Sequence, residues 1–427
     1  MEVLDKTLEL MKKNVHKGEV LLNRTIIQEM NISCGEISLL RTREEYTLNM
    51  TGIIDQKKDS MQINKIDEKS ILEAVEELKK NAENSQVDEA NDISGQVIER
   101  EFVHSKAELD LSLMHRRLKD FLRKLESDYP DLIIDTAFLE HIDDHEYYQN
   151  TNGVKLSAHT SNYLFSLMFF AKRGREISSF NYTDVITDNL EKDLFELGSL
   201  KYLLKETVEQ LKTRPIPVKK FTGDLLITPD CLSDFLAYLL EHLRNYMLIS
   251  GTSRFQNKIN EKLLSELFTL RIEPDSEHLA VKNYFGRDGI VNRNDYIFEK
   301  GILRNYLLDL YGAKKTGFER GPSTCQNLVM ENGKKSLDDM IKTIDKGIII
   351  SRFSGGSPAA NGDFSGVAKN SFYVENGEIQ FPISETMISG NVFELFNNIA
   401  EISKERINNG RFLLPYILCK GIIASTS

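Results

Sequence analysis

Gly355-Gly-Ser-Pro-Ala-Ala-Asn-Gly-Asp-Phe-Ser-Gly366 is the most unusual stretch of this chain, and the segments around it decide how the C-terminal half is read. Small residues and glycines permit close approach of backbone to backbone, or of backbone to a ligand. The stretch is not a nucleotide-phosphate loop, because no Gly-Lys-Ser/Thr follows, and it is not a dinucleotide fingerprint, because no helical pattern follows. It therefore reads as a loop between strands, with a structural or a functional role. Strand-forming runs surround it: Gly347-Ile-Ile-Ile-Ser351 before, Ser371-Phe-Tyr-Val-Glu375 and Glu378-Ile-Gln-Phe381 after. Asn376-Gly377 between the last two is a strong hairpin signal.

Working outward, a short strand, Asp224-Leu-Leu-Ile227, precedes a helix that starts at Pro229, a residue suited to the first helical turn. Leu232, Phe235, Leu236, Leu239, Leu240, Leu243 and Met247 give that helix a wide apolar stripe, so it belongs at the centre of its domain. Pro215 and Pro217 mark a boundary near residues 213–221. Before them, a long helical pattern is predicted from Leu190 to Leu211, and several strands between Leu132 and Tyr182, with a turn at Asn152-Gly153. Tyr163-Leu-Phe-Ser-Leu-Met-Phe-Phe-Ala171 reads as a buried strand. An amphipathic helix over Leu111 to Leu125 ends at Pro130. The polar, aperiodic segment Asn84 to Glu99 is a linker candidate. Asp67 is a plausible N-cap for a helix over Glu68 to Ala82. Short β-prone runs from Glu19 to Asn64 suggest an antiparallel meander. Val3, Leu4, Leu8, Met11 and Val15 mark a first amphipathic helix.

The expected fold class is α+β. An N-terminal antiparallel sheet is flanked by helices, and a mostly antiparallel C-terminal domain packs around the central apolar helix. Three regions are expected: a meander-plus-helix region over 1–90, a second α+β region over 91–213, and a C-terminal domain over 221–427.

The 427 residues carry 65 acidic and 54 basic side chains, a formal net charge of −11. This balance argues against nucleic acid or an anionic membrane surface as a partner. Cys34, Cys231, Cys325 and Cys419 are too few and too widely spaced for a disulfide framework or a zinc ribbon, which points to a reducing, cytoplasmic setting. The acidic N-terminus lacks the unbroken apolar core of a signal peptide. No apolar stretch approaches the ~20 residues that span a bilayer.

His141-Ile-Asp-Asp-His145-Glu is the most metal-like cluster, since an even spacing places both imidazoles on one face of a strand. Two ligands do not complete a zinc site, and the segment reads as an exposed polar strand edge or loop. Glu241-His242 lies on the apolar helix without a second His within two turns, so His242 reads as a single histidine at the helix edge. His16, His104, His115 and His159 are isolated. Leu413-Leu-Pro-Tyr-Ile-Leu-Cys419-Lys-Gly-Ile-Ile reads as a terminal strand with a buried thiol.

Several pieces together resemble one family. Ser354-Gly-Gly-Ser, Asn361-Gly-Asp-Phe-Ser-Gly366, Tyr373-Val-Glu-Asn-Gly-Glu-Ile-Gln-Phe-Pro-Ile-Ser-Glu385 and Ile388-Ser-Gly-Asn391 closely resemble the C-terminal signature of the TldD/PmbA family. Asp288-Gly-Ile-Val-Asn-Arg293, Ile297-Phe-Glu-Lys-Gly-Ile-Leu303, Tyr306-Leu-Leu-Asp-Leu-Tyr-Gly-Ala313 and Asn327 are similar to its central segment. The resemblance implies two kinds of subunit with one fold. The TldD-type carries His-Glu-x-x-x-His on the helix after the first strand of the C-terminal domain, with a Cys near its end completing a zinc site. The PmbA/TldE-type lacks those ligands. The two pair to degrade or mature unfolded or extended peptides. An older family label is modulator of DNA gyrase.

This chain departs from the metal-bearing pattern. The matching helix reads Phe235-Leu-Ala-Tyr-Leu-Leu-Glu-His-Leu-Arg-Asn-Tyr-Met247, and Glu241-His242 reverses the motif without its partner. Cys419 falls in a tail that resembles the PmbA-type ending, so no zinc ligand is carried onto it. The resemblance therefore implies a non-catalytic subunit with no cofactor of its own, zinc in a TldD-type partner, and an extended peptide as substrate; a homodimer is the other possible assembly. Arg352, Ser354, Gly355, Gly356, Asn361, Gly362, Asp363, Phe364 and Ser365 are the candidates for lining the peptide chamber or the subunit interface. Two alternatives stand beside this reading. One is a non-enzymatic protein-binding factor of the gyrase-modulator kind. The other is a stand-alone hydrolase using His141, His145 and an acidic neighbour.

Overall fold

The apolar spacing of the first residues yields α1 (Glu2–Asn14), which buries Leu4, Leu8 and Met11. The computed structural model describes residues 2–33, 35–384 and 386–426; Cys34 and Glu385 lie outside the described residues. Two long strands follow, β1 (Lys17–Ser33) and β2 (Glu36–Ile54), and then the shorter β3 (Lys57–Ile63). The meander of short runs expected over 19–64 is thus mainly one long hairpin. Polar residues that look like breaks, such as Asn23 opposite Thr47 and Gln28 opposite Thr42, are cross-strand pairs within a continuous ladder. α2 (Glu68–Asn84) starts as expected, the Asp67 carboxylate accepting from the Ser70 amide at 3.1 Å.

Of the expected linker Asn84 to Glu99, the first residue closes α2 and the last opens the next strand; residues 85–98 between them have no helix or extended strand, yet they are pinned. Asp92 pairs with Lys17 and Lys314, and Asp88 accepts from Tyr311 Oη and pairs with Lys315. Next come β4 (Glu99–Ser105), α3 (Leu111–Asp128), β5 (Leu132–Asn150), β6 (Lys155–Arg173), β7 (Glu176–Ile177) and β8 (Asn181–Thr187). β5 and β6 form a second long hairpin, turned at Asn152-Gly153 with Gly153 at φ 94°. The sheet runs β3-β2-β1-β5-β6-β4, with β8 on the remaining length of β6; β4 is parallel to β6 and the other ladders are antiparallel. Two hydrophobic clusters share one face of this sheet. Leu22, Leu48 and Tyr147 pack with α1 and α2, while Met30, Ala137, Leu139 and Phe165 pack with α3.

The helix expected over Leu190–Leu211 is interrupted. A 3-10 turn at Leu194–Glu196 precedes α4 (Leu200–Glu209), and another, Gln210–Lys212, follows it. Gly198 causes the break: it sits at φ 54°, and a Cβ there would stand 2.8 Å from Val185.

In the C-terminal half, β9 (Lys220–Ile227) leads into α5 (Pro229–Glu241) and the short α6 (Asn245–Ile249). Four short strands come next: β10 (Leu270–Ile272), β11 (Asp295–Glu299), β12 (Ile302–Leu303) and, after α7 (Leu310–Thr316), β13 (Leu328–Met330). α8 (Leu337–Ile341) precedes β14 (Lys346–Ile350), β15 (Arg352–Gly355), β16 (Asp363–Lys369), β17 (Phe372–Glu375), β18 (Glu378–Pro382) and β19 (Thr386–Asn391). α9 (Val392–Asn397), β20 (Ile399–Asn408) and β21 (Phe412–Thr426) complete the described chain. β21 lies inside the sheet, between β13 and β9, and β14 follows β9. β9 is parallel to β14 and β13 to β21; the remaining pairs are antiparallel. The hairpin between β17 and β18 turns on Asn376 and Gly377, at φ 53° and 76°, the two positive values its turn type requires.

α5 lies against this sheet. Leu232, Leu236 and Leu239 are wholly buried among Phe268, Phe298, Ile350 and Ile417. Each such side chain contributes roughly 1.5–3 kcal/mol of transfer free energy. The architecture is α+β, with the apolar helix at the core of the C-terminal half. Among the described residues no helix is long and apolar enough to cross a membrane.

Candidate functional site

The helix expected to run unbroken through Met247 stops at Glu241. The carbonyls of His242 and Leu243 are taken by groups from elsewhere: Ser253 Oγ donates to His242 O at 2.5 Å, and the Leu307 amide donates to Leu243 O at 2.8 Å. A chain whose carbonyls are satisfied this way has no need of the next helical turn. α5 accordingly presents one short solvent-facing row: Asp234, Ala237, Tyr238 and Glu241, at helical spacing.

This row forms one wall of a cleft of about 400 Å³. The other wall is the Gly-rich hairpin, through Phe353, Gly355, Gly356, Ser357 and Pro358. β15 and β16 pair in register with Gly355 opposite Gly366. A Cβ on Gly366 would stand 2.6 Å from the Phe353 ring and 2.7 Å from Gly355 Cα, so glycine is required for the strands to close over that ring. Phe353 and Phe364 pack in turn on Phe235 of α5, at centroid distances of 5.5 and 5.3 Å. Tyr238 Oη donates to Ala359 O, tying the loop to the helix. Among the described residues, no strand pairs with the outer edge of β15.

The tip of the hairpin is held by carboxamides. Asn361 Nδ2 donates to Asp363 Oδ2 at 2.7 Å, and Asn391 Nδ2 donates to Asn361 O and to Asp363 Oδ1, both at 2.9 Å. Asn391 Oδ1 also accepts from the Phe393 and Glu394 amides, capping α9. Gly362, at φ 93°, lies against the Phe393 ring. Ser354, Gly355, Gly356, Asn361, Asp363 and Ser365 are exposed, whereas Phe364 is core. Arg352 lies away from the cleft. It is 8% exposed and spans the seam to the N-terminal sheet, donating to Asn181 Oδ1 at 3.2 Å and to Tyr182 O, with its guanidinium 4.3 Å from the Tyr182 ring centroid.

The cleft does not fit a zinc ion. Its polar wall offers two carboxylates and a tyrosine already bonded to the loop, and no imidazole or thiol lines it. His242 is not at the helix edge as expected but 0% exposed beneath it. Its Nδ1 accepts from the Arg254 amide at 3.3 Å, and its Nε2 lies 3.4 Å from Tyr238 Oη, whose proton goes to Ala359. That is the pattern of a neutral ring protonated at Nε2. Burial pushes its pKa down to about 4. Cys419 is a core thiol on β21, opposite Leu225 and Ile399, and burial pushes its pKa up.

The His141–His145 segment is not the expected exposed edge or loop. It lies on β5, in the middle of the sheet. His141 is buried, with Nε2 2.8 Å from Ala107 O and Nδ1 3.2 Å from Gln28 Oε1. His145 instead meets His159, read above as isolated, because the two are direct partners across the β5–β6 ladder. They stand seven residues to either side of Asn152 at the predicted turn, so the turn itself carries the signal for this pair.

These features define an α+β scaffold with a cleft between α5 and the Gly-rich hairpin, lined by no imidazole or thiol. Residues 221–425 match the family described as PmbA/TldA metallopeptidase C-terminal domain. Those residues, just under half of the chain, belong to the TldD/PmbA family. It is 27% identical over 297 residues to the metalloprotease PmbA homolog of Buchnera aphidicola, a match covering 64% of this chain and 66% of that protein. It thus spans just under two thirds of that relative's length. Among solved structures, TldE from Thermococcus kodakarensis has a TM-score of 0.84 at 20% identity, covering 99% of this chain and 100% of that one. A putative modulator of DNA gyrase from Bacteroides thetaiotaomicron has a TM-score of 0.88 at 22% identity, covering 100% and 98%. At these identities the two structures establish a shared fold.

Proposed function

We propose that this chain is the PmbA/TldE-type member of a two-subunit peptidase, with no catalytic metal at α5, and that a TldD-type partner supplies the zinc and the hydrolytic step. The observation that carries the reading is the exposed row of α5: Asp234, Ala237, Tyr238 and Glu241 include no histidine, and a zinc-binding helix of the peptidase kind needs two histidines and a glutamate. The role left to this chain is to help enclose and align an extended peptide. The unpaired edge of β15 supports this, since backbone groups of Ser354 and Gly355 can pair with a peptide strand whatever its side chains. A homodimer of this chain would present two such edges and no hydrolytic centre at α5.

The test is co-expression with a TldD-type chain from the same genome. The expected result is one co-eluting complex that cleaves an unfolded polypeptide, with activity abolished by substituting a motif histidine of the partner. Separate elution of the two chains, with no gain in peptidase activity on mixing, overturns the proposal.

A further inference from the structure

Asp143 and His145 lie two residues apart on β5, and His159 lies opposite His145 on β6. All three side chains leave the same face of the sheet. The two imidazoles are face to face, with centroids 4.0 Å apart and planes 12° apart. Both Nε2 atoms converge on one carboxylate: His159 Nε2 is 2.6 Å from Asp143 Oδ1, and His145 Nε2 is 3.3 Å from Oδ2. The three ligand atoms lie within 4.8 Å of one another, in the one such cluster found among the described residues. We infer that Asp143, His145 and His159 form a binding site for a zinc-class divalent cation, separate from the cleft at α5.

The spacing fits. Metal–ligand bonds of about 2.0–2.1 Å in a tetrahedral shell place ligand atoms about 3.3 Å apart. The His145 Nε2–Asp143 Oδ2 separation already has that value, the His159 Nε2–Asp143 Oδ1 contact has to open by about 0.7 Å, and the two near-parallel rings have to turn so that both Nε2 lone pairs aim at one ion. Charge fits as well. Among the described residues no Lys or Arg pairs with Asp143; Arg24, opposite His145 on β1, gives its Nε–H to Glu44 at 2.8 Å. A partly buried carboxylate facing two imidazoles is a donor set for Zn2+, Co2+ or Ni2+ rather than for Mg2+ or Ca2+.

The surroundings allow entry without full exposure. The side chains of His145, His159 and Asp143 are 19%, 32% and 27% exposed. They occupy the gap on the sheet face between the cluster under α1 and α2 and the cluster under α3. Behind Asp143, its cross-strand partner Ser161 is fully buried and accepts from Ser105 Oγ at 3.0 Å, a fixed polar floor. Three protein ligands leave the fourth position to water. His141 takes no part, since both its ring nitrogens are engaged elsewhere. The site pins the middle of the β5–β6 hairpin, and it departs from the expectation of a chain with no metal of its own.

The test uses the untagged full chain, stripped with a chelator and titrated with Zn2+ by calorimetry and with Co2+ by visible absorption. The expected result is one equivalent bound, with a Co2+ ligand-field band. His145→Gln and His159→Asn each weaken binding at least about 100-fold, while His115→Ala, exposed on α3, leaves it unchanged. Circular dichroism verifies folding of each variant, and Asp143→Asn serves if a histidine variant fails to fold. Uptake below about a tenth of an equivalent by the wild-type chain, or full uptake by a folded His145→Gln/His159→Asn double variant, overturns the inference. The site is independent of the proposed subunit role, because it is measured on the chain alone.

Discussion

Replacing Asn391 separates two jobs that one side chain performs. Its Oδ1 caps α9 through the Phe393 and Glu394 amides, and its Nδ2 holds the Gly-rich loop through Asn361 O and Asp363 Oδ1. Loss of an N-cap costs about 1 kcal/mol. Each loop hydrogen bond, at partly exposed partners, contributes about 0.5 kcal/mol. Asn391→Ala is therefore expected to destabilise the protein by about 2 kcal/mol in urea unfolding. Asn391→Asp keeps the cap, because a carboxylate accepts from both amides, but loses the donor and sets a second negative charge beside Asp363. It is expected to preserve α9 while releasing the loop. Hydrogen exchange reads the two effects apart. The amide of Gly362, bonded to Ala359 O at 2.7 Å, should lose protection in both variants, and that of Asn398, bonded to Glu394 O at 2.9 Å, only in the alanine variant. If Asn391→Ala costs under about 0.5 kcal/mol, or if Asn391→Asp leaves the Gly362 amide fully protected, the two-job account is wrong.

Two further outcomes follow from the seam between the halves. Arg352→Ala removes two charged hydrogen bonds and a ring contact with Tyr182 and should cost about 3 kcal/mol; Arg352→Lys should recover little, because an ammonium cannot reach Asn181 Oδ1 and Tyr182 O as a planar fork does. Variants within about 0.5 kcal/mol of wild type in urea would count against the seam. Glu206 on α4 is raised by burial from an ordinary 4.5 to about 8, with Ser351 Oγ donating to it at 3.2 Å. The folded chain holds this proton more tightly than the unfolded one, so the contribution is complete below about 4.5 and lost as pH rises through about 8. Glu206→Gln should thus flatten the fall in stability over that window; parallel stability–pH curves for the variant and the wild type would refute it.

Local chemistry made much of this molecule readable. The Asp67 cap, the Asn376-Gly377 hairpin and the amphipathic helix before Pro130 depend on neighbours in sequence, and each is present where its residues place it. What escaped depends on distant partners. α5 stops at Glu241 because Ser253 and Leu307 take the carbonyls of His242 and Leu243 just beyond it, and neither is visible from residues 229–247. Among the candidate loop residues, Phe364 and Arg352 are placed by Phe235 and by Asn181, far away in the chain. The His145–His159 pair required combining a turn with a count to either side of it.

The position of β21 between β9 and β13 sets a clock on biosynthesis. β9, with Leu225, Leu226 and Ile227 all wholly buried in the finished protein, leaves the ribosome roughly 190 residues before the strand that will flank it. At 5–20 residues per second that is about 10–40 s during which an apolar strand has an open side. Over that interval the nascent chain offers the same unpaired edge to any other growing copy nearby, so the C-terminal half depends on protection from its neighbours until its last strand arrives.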